Sequence, residues 1–277
     1  MIFVTKFDGR KQLFDRGKII RTCLRLQATQ QQAEKIADKI EKKIYNGIKT
    51  KKIFQMILRY LAEFKPAAKY QIDLREAIAL LRPKPDFEQF IALLLKEYGY
   101  EIESNKLVRG KCVEHEIDAI ARKGSDIVFV EVKHHLQPHT YTGIGVFLEA
   151  QATFEDLVAG YQKGFHKYNF TKALVVCNTK ISDQAKQYAA CIGIEHLGWK
   201  FPIDVGLEIM IERKKLYPIT YMKELDRLAQ QKLGDNGIVI LKQLLQYDIE
   251  LLHNKTRIPM EKLKFLMRAA REIIPTI

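Results

Sequence analysis

Four charged residues lie near one another in the stretch CVEHEIDAIARKGSDIVFVEVKHH, residues 112–135: Glu116, Asp118, Glu131 and Lys133. Apolar and polar residues alternate on both sides of Gly124-Ser125, which is typical of a β-hairpin, and glycine in the first turn position favours a type II′ turn. A two-residue turn here places Asp118 opposite Glu131 and Glu116 opposite Lys133. Because side chains on one face of a strand recur at every second residue, we expect all four to project from the same face.

Two carboxylates that face each other across a hairpin lie about 4.5–5.5 Å apart at Cβ, and they repel unless a proton or a cation lies between them. Magnesium takes oxygen ligands and keeps several waters for a substrate, so Asp118 and Glu131 are candidate ligands of Mg²⁺ or Mn²⁺. Lys133 is placed to orient or activate a water, and the set predicts metal-assisted attack on a phosphodiester. The alternative is an ordinary salt bridge between Glu116 and Lys133. The apolar run VFV argues against it, because such a run is typical of a central strand.

The composition of the chain favours a multidomain soluble protein with a polyanionic partner. Of its 277 residues, 47% are hydrophobic and 29% are charged, and the formal net charge is +13. This excess of Lys and Arg favours nucleic acid as the partner, and a solvated basic surface is the alternative. No apolar run approaches the roughly 18 residues that span a bilayer, and no signal-peptide pattern opens the chain, so we expect a cytoplasmic protein without a membrane partner. The four cysteines form no CxxC pair, which argues against a zinc site.

Breaks in the hydrophobic periodicity divide the chain into three predicted domains, residues 1–82, 83–208 and 215–277. The first opens with two short strands around Asp8-Gly9 and ends with a helix predicted over 66–81. RPKP, residues 82–85, marks the next boundary, and Asp86 is a candidate N-cap.

In the second domain, KALVVCN, DQAKQYAACIG and IEHLGW predict a β–α–β unit with parallel strands. The third domain is predicted to be all-helical. The fold class is therefore α/β with several domains.

The order Asp118, turn, Glu131-Val132-Lys133 resembles the core of the PD-(D/E)XK nucleases, with Ile117 where the family name has proline. The pattern EIDAIA…VFVEVK is similar to the Holliday-junction-resolvase and Mrr-type restriction endonuclease branches. The later VVCNTKISDQAKQYAACIGIEHLGWKFP is similar to the closing β–α–β of Mrr-like catalytic domains. The resemblance implies a restriction-endonuclease-like α/β/α core with a mixed sheet. It also implies a third metal ligand on the helix before the hairpin, a place that Glu88 matches; a first-turn acid stabilised by the helix dipole is the alternative.

Other polar residues near the motif are candidates for helping the reaction. Glu116 is expected to act through the metal or a bound water. His134, His135 and His139 could contact phosphate or assist proton transfer, or they could be plain loop residues. Gln151 is a candidate for the helix-borne polar residue that many of these nucleases use near the scissile phosphate.

The first domain resembles the ATP-cone, a nucleotide-sensing module, in VTKFDGRKQLFDRGKIIRTCLRL and AAKYQIDLREAI. The resemblance implies that the hairpin and first helix hold ATP or dATP. The positions that match the nucleotide-binding residues of that family are Val4, Lys6, Arg10, Lys11 and Lys18. Basic side chains around a tight turn can neutralise a triphosphate. The sequence has no GxxxxGK[ST], so nucleotide sensing is favoured over hydrolysis by a P-loop ATPase. A helical domain with a solvated basic face is the alternative.

The third domain loosely resembles a helix-hairpin-helix or SAM-like domain, and Asn254, Lys255, Thr256 and Arg257 could present amides and charge to phosphate. The glycine of the usual hairpin is missing, so a helical dimerisation or packing module is equally open. Taken together, the segments predict a metal-dependent DNA endonuclease regulated by ATP or dATP. It would act on double-stranded DNA, branched or modified DNA included, as a homodimer. A nucleotide-responsive DNA-binding regulator with an inactive nuclease site and an RNA-directed nuclease are the alternatives.

Overall fold

The structure is a computed structural model that describes residues 1–274, so the last three residues of the predicted third domain lie outside the described residues. The chain forms two compact units. The first contains residues 1–73 together with 222–224 and 261–274, and the second contains residues 74–221 and 225–260.

The first unit contains a small three-stranded sheet covered by helices. β1 (Phe3–Thr5) lies between β2 (Lys11–Leu13) and β3 (Ile48–Lys49), and the tight turn of the predicted hairpin has Gly9 at a φ of +81°. The helices α1 (Arg16–Arg25), α2 (Gln30–Glu41) and α3 (Thr50–Leu61) follow. Their regularly spaced apolar residues pack into one core, whose fully buried members include Cys23, Ala33, Ile36, Ala37, Ile40 and Ile57.

The helix predicted over 66–81 is interrupted. Pro66–Tyr70 forms a 3₁₀ turn, and the next helix, α4, is Leu74–Leu80. The chain between them is extended because Gln71 forms an antiparallel β-bridge with Met222. The single-helix prediction was therefore wrong, and α4 belongs to the second unit.

The second unit has a five-stranded mixed sheet at its centre. Its strands lie in the order β10-β8-β6-β5-β4, with β4 (Glu101–Arg109), β5 (Glu114–Lys123), β6 (Asp126–Lys133), β8 (Lys172–Cys177) and β10 (Glu195–Leu197). β4, β5 and β6 are antiparallel neighbours, whereas β6, β8 and β10 run parallel. The predicted β–α–β unit is confirmed, with α7 (Asp183–Ile192) between β8 and β10, and β6 is the central strand that its apolar run predicted.

Further elements complete the second unit and the C-terminal region. The helices α5 (Glu88–Glu97) and α6 (Ile144–Gln162) belong to the second unit, and its core joins α6 and α7 to the sheet through Phe129, Phe147, Leu157, Val175, Ala185 and Ala189. The short strands β7 (Tyr141–Thr142) and β9 (Lys180–Ile181) pair in parallel. A further helix, α8, is Leu207–Lys214 and lies before the predicted third domain. The C-terminal region after it is helical as predicted, in α9 (Arg227–Asp235), α10 (Leu241–Gln246), α11 (Ile249–Thr256) and α12 (Met260–Ile273). In the part of the chain that the structure describes, no helix has the length and apolarity to cross a membrane.

A short turn before α5 departs from the prediction made for Asp86. Asp86 does not cap the helix: its carboxylate is fully buried and accepts hydrogen bonds from Nε and Nη2 of Arg82 at 2.8 and 2.7 Å. Arg82 also donates through Nη1 to Asp235 at 2.7 Å. The turn Pro83–Phe87 is thereby held by a buried ion pair, and it sets the positions of Lys84 and of Glu88, the first residue of α5.

Candidate active site

The hairpin that carries the predicted acids has the register that its turn predicts. β5 and β6 form five antiparallel residue pairs, from Lys123 with Asp126 beside the turn to Ala119 with Val130. Gly124 has a φ of +61° and Ser125 has no positive φ, which is the type II′ geometry. The register predicted from the turn is confirmed over these five pairs.

Asp118 lies where the two strands of the hairpin separate. The last ladder pair is Ala119–Val130, so the predicted pair of Asp118 and Glu131 lies one residue beyond the ladder. Asp118 Oδ2 accepts a 2.8 Å hydrogen bond from the backbone amide of Val132. Asp118 is only 7% exposed. This hydrogen bond joins β5 to β6 beyond the last ladder pair, so the carboxylate is held next to the part of β6 that carries Glu131 and Lys133.

The predicted cross-strand pair of Glu116 and Lys133 was wrong. Beyond the end of the ladder, Glu116 pairs with Leu107 on β4, and Lys133 pairs with Cys177 on β8. The β5–β6 ladder itself stops at Ala119–Val130, three residues short of this pair. A salt-bridge ladder between Glu116 and Lys133 is therefore not how the charged residues are accommodated.

One lysine joins three of the carboxylates. The Nζ atom of Lys84 lies 3.0 Å from Glu116 Oε1, 3.2 Å from Glu88 Oε1 and 3.4 Å from Asp118 Oδ1. The side chains of Glu88 and Asp118 are 6% and 9% exposed, whereas those of Lys84 and Glu116 are 57% and 61% exposed. The structure thus brings Glu88, Glu116 and Asp118 together, as predicted, around a cation that the sequence did not suggest.

The surroundings of two carboxyl groups at this site disfavour their ionised form and raise their pKa. Burial, with repulsion from Asp118 and Glu149, raises the pKa of Glu131 to about 7, although Lys133 and Lys84 oppose the shift. Burial and repulsion from Asp118 likewise raise the pKa of Glu88 to about 7, and Lys84 opposes that shift. An added cation would relieve this repulsion.

Lys133 is the basic member of the predicted set, two residues after Glu131 on β6. Its side chain forms no hydrogen bond or ion pair within residues 1–274, and it acts on Glu131 and His135 through its charge. Its side chain is partly exposed. Lys133 is therefore an ammonium group whose charge acts on the carboxylate of Glu131.

The donor chemistry of the site suits a hard divalent ion. The acids that converge here are Glu88, Glu116, Asp118 and Glu131, and they offer only oxygen ligands, which Mg²⁺ and Mn²⁺ prefer. The three contacts of Lys84 show that a cation is stabilised between them. Across residues 1–274, however, no three His, Cys, Asp or Glu side chains already stand as a metal cluster. The residues fit a metal by chemistry, with Lys84 between the carboxylates.

Two residues of the site were missed by the sequence analysis. Lys84 was taken only as part of a boundary, and its extended backbone in the turn before α5 gives it no helical spacing to Glu88 that the sequence could have revealed. Glu149 on α6 acts on Glu131 through its charge, and nothing in the local sequence distinguishes it from other helical acids. Gln151, the residue chosen on that helix, donates to Glu155 within the helix at 2.7 Å.

The three histidines after the motif hold the loop in place. His134 packs on Phe87 with ring centroids 4.8 Å apart and lies 3.1 Å from the carbonyl oxygen of Ile78. His135 contacts Thr142, and His139 contacts Arg75, each at 3.1 Å. Burial lowers the pKa of both His134 and His135. Their observed contacts are structural, so the loop-residue alternative describes them better than phosphate contact does.

The residues predicted to hold a nucleotide lie on one hairpin and the helix after it. Lys6 and Arg10 close the turn with a 2.9 Å backbone hydrogen bond, and Arg10 donates to Asp8 at 2.7 Å. Lys11 opens β2 and Lys18 lies in the first turn of α1. Val4 is 7% exposed, and its side chain packs in the hydrophobic core of the first unit.

The C-terminal segment predicted to meet phosphate is the end of α11. Thr256 is buried and donates from its hydroxyl to the carbonyl oxygen of Leu252 at 2.7 Å, and Arg257 follows at a φ of +54°. The carbonyl oxygen of Arg257 accepts a hydrogen bond from Lys232 at 2.9 Å. Lys255 lies over the ring of Tyr247 at 5.3 Å.

Comparison with protein families assigns a family to each part of the chain. Residues 2–78 match the ATP cone domain, residues 80–197 match a restriction endonuclease family of the Mrr catalytic type, and residues 217–274 match the AF1548-like C-terminal family. The first two matches are those that the sequence motifs suggested.

Two proteins that are similar to this chain come from the archaeon Archaeoglobus fulgidus. One uncharacterised protein is 33% identical over 184 residues, which is 66% of this chain and 99% of that protein. A second is 48% identical over 42 residues, 15% of this chain and 89% of that protein. The crystal structure of AF1548, a protein of unknown function, superposes with a TM-score of 0.59 at 33% identity and covers 68% of this chain and 96% of that one.

Proposed function

We propose that this chain, a member of the AF1548-like family, is a nucleotide-regulated, metal-dependent DNA endonuclease. It combines an ATP-cone with a restriction endonuclease domain of the Mrr type. The observation that carries the proposal is the convergence of Glu88, Glu116 and Asp118 on one ammonium group, with the partly buried Glu131 close enough to Asp118 to feel its charge. The proposed domains are residues 1–82, 83–208 and 215–277.

Each residue of the site has a distinct role in this proposal. Asp118, Glu131 and Glu88 would hold a Mg²⁺ or Mn²⁺ ion, which when bound supplies positive charge to the attacking water and the scissile phosphate. Lys133 orients the water or stabilises the extra negative charge on the phosphate as the P–O bond breaks. Glu116, the most exposed acid of the four, accepts a hydrogen bond from the attacking water.

The proposed substrate is double-stranded DNA, branched or modified DNA included. A net charge of +13 supports a polyanionic partner, because Lys and Arg that neutralise phosphates release the counterions condensed on DNA. Cutting both strands requires two sites, so we propose a homodimer.

The proposed regulator is ATP or dATP bound by the first domain. Lys6, Lys11 and Lys18 supply positive charge at the hairpin and first helix, where a triphosphate would be neutralised. Val4 and Arg10 would position the backbone of that hairpin. Because the ATP-cone match covers residues 2–78 only, the nucleotide acts from outside the nuclease domain.

A second candidate is a nucleotide-responsive DNA-binding regulator whose nuclease site is inactive. The observation in its favour is that residues 1–274 hold no preformed metal cluster and that Lys84 lies between the carboxylates. A permanently bound lysine would block the metal.

One experiment separates the two candidates. Linear, supercoiled and branched DNA would be incubated with the protein and Mg²⁺ or Mn²⁺, with ATP or dATP added or withheld. Metal-dependent cleavage that disappears with EDTA supports the endonuclease. DNA binding without cleavage under every metal and nucleotide condition would favour the regulator.

A further inference from the structure

Lys84 is the one side chain of the site that contacts three of its carboxylates, and it comes from the turn before α5 and not from the hairpin. Its Nζ lies 3.0–3.4 Å from Glu116, Glu88 and Asp118. The turn Pro83–Phe87 that carries it is fixed by the buried pair of Arg82 and Asp86. The backbone of Lys84 is thus anchored, while its long side chain extends over the acids.

The burial of the partners differs from that of the lysine. Glu88 and Asp118 are nearly buried, whereas the Lys84 side chain is 57% exposed. Two buried carboxylates that repel each other need a cation, because leaving a buried charge uncompensated is costly. The exposed lysine side chain can supply that charge and can also rotate into solvent without leaving a cavity.

We infer that Lys84 is an internal counter-ion that holds Glu88, Glu116 and Asp118 together before the metal arrives and is displaced when a divalent ion binds. The inference rests on the proposed function, which places the metal at these carboxylates. An ammonium group and a divalent cation compete for the same oxygen atoms and repel each other at short range. Lys84 is in this sense a positioning residue that sets the affinity for the metal.

This exchange explains two features of the site together. Residues 1–274 hold no preformed metal cluster although their acids have the chemistry for one, because Lys84 occupies the space between them. The acids nevertheless stay close together, because the same lysine neutralises their repulsion. Removing the positive charge of Lys84 should therefore favour metal binding and weaken the metal-free fold.

The test measures binding of Mn²⁺ alone, by titration calorimetry, to the full-length protein without DNA or nucleotide. Lys84→Met removes the charge and keeps an unbranched side chain only one atom shorter, and Lys84→Arg keeps the charge. Lys96→Met, which changes an exposed lysine near the end of α5, is the matched control. Asp118→Asn reports whether binding occurs at this site. Thermal unfolding in EDTA provides a readout that needs no metal.

We expect Lys84→Met to bind Mn²⁺ at least about tenfold more tightly than the wild-type protein, since a cation within a few ångströms shifts such equilibria by one or more powers of ten. Lys84→Arg and Lys96→Met should bind like the wild type. In EDTA at pH 8, Lys84→Met should unfold at a lower temperature than Lys96→Met. Addition of Mn²⁺ should remove this difference in unfolding temperature. If Lys84→Met does not fold, Lys84→Gln replaces it in the same comparisons.

The failures of the two proposals are distinguishable. Binding that Asp118→Asn abolishes but that Lys84→Met leaves unchanged or weakens would overturn the counter-ion inference and leave the endonuclease proposal standing. Absence of Mn²⁺ binding in the wild type and in Lys84→Met alike would overturn both. If Lys84→Met binds Mn²⁺ more tightly than the wild type and the double variant with Asp118→Asn loses this gain, the result supports both the counter-ion inference and the endonuclease proposal.

Discussion

Asp118 accepts a 2.8 Å hydrogen bond from the backbone amide of Val132, and this bond fixes the carboxylate across the point where the two strands of the hairpin separate. The amide lies between Glu131 and Lys133, so a single hydrogen bond relates three residues of the candidate site. An asparagine at position 118 could accept the same bond through its side-chain carbonyl. The charge of Asp118 can therefore be removed while its position is kept.

Lys133→Met should reduce DNA cleavage by roughly 10²–10³-fold, because the variant loses the ammonium group proposed to stabilise charge on the phosphate. Binding of Mn²⁺ should stay close to that of the wild type, since Lys133 is not a ligand. Cleavage of supercoiled plasmid and calorimetric Mn²⁺ titration check the two parts. Lys123→Met, at the turn end of the same hairpin, is the control and should keep both properties. Full activity in Lys133→Met would remove Lys133 from the mechanism.

Glu131→Gln should stabilise the metal-free protein much more at pH 8 than at pH 5. Burial and repulsion from Asp118 raise the pKa of Glu131 to about 7, so the folded protein holds this proton more tightly than the unfolded chain does. The corresponding stability is present below a pH of about 4.5, the ordinary pKa, and is lost as the pH rises through about 7.

At pH 8 in EDTA we expect Glu131→Gln to gain about 2 kcal/mol, or roughly 4–8 °C in melting temperature. At pH 5 the wild-type carboxyl is protonated when folded and ionised only in the unfolded chain, so the gain should fall below about 1 kcal/mol. Melting curves at both pH values check this. A gain of equal size at both pH values would show that the effect is packing and not charge.

Arg82→Met should destabilise the second unit by about 2–4 kcal/mol, because it leaves the buried carboxylate of Asp86 without its partner. Asp235→Asn breaks the other ion pair of Arg82, whose acid is 52% exposed, and should cost less than about 1 kcal/mol. Urea unfolding of both variants makes the comparison. Equal losses in the two variants would contradict the dominant role of Asp86.

Lys18→Met should weaken binding of ATP and dATP by about tenfold, because one charge of the proposed triphosphate site is lost. Fluorescent-nucleotide titration measures the effect. Lys42→Met, at the end of α2, removes an exposed lysine that belongs to neither the hairpin nor α1 and should leave the affinity unchanged. An equal loss in both variants would indicate binding to general positive charge on the first unit.

The hairpin and its acids could be predicted because their geometry is local. The turn at Gly124-Ser125 fixes the register, and alternation along β5 places Glu116 and Asp118 on one side. The end of the ladder at Ala119–Val130 could not be predicted, because the alternation of apolar and polar residues continues past it and does not mark where the pairing stops. The pairing of Glu116 with Lys133 was wrong for that reason.

Lys84 and Asp86 illustrate what local sequence does not contain. The position of Lys84 depends on a turn held by Arg82, Asp86 and Asp235, and Asp235 lies 153 residues from Arg82 in the sequence. Asp86 has the residue type of an N-cap, but a nearby arginine and complete burial gave it a different role. The influence of Glu149 likewise depends on how α6 packs against the sheet.

The most direct measurement is cleavage of supercoiled plasmid by Asp118→Asn, compared with Asp126→Asn. Asp126 lies on the same hairpin and pairs with Lys172 at 2.7 Å, so its substitution is a matched loss of one carboxylate outside the site. With Mn²⁺ we predict cleavage by the wild type and by Asp126→Asn, and a loss of at least about 10³-fold in Asp118→Asn, with DNA binding retained. Undiminished metal-dependent cleavage by Asp118→Asn would contradict the assignment of the active site.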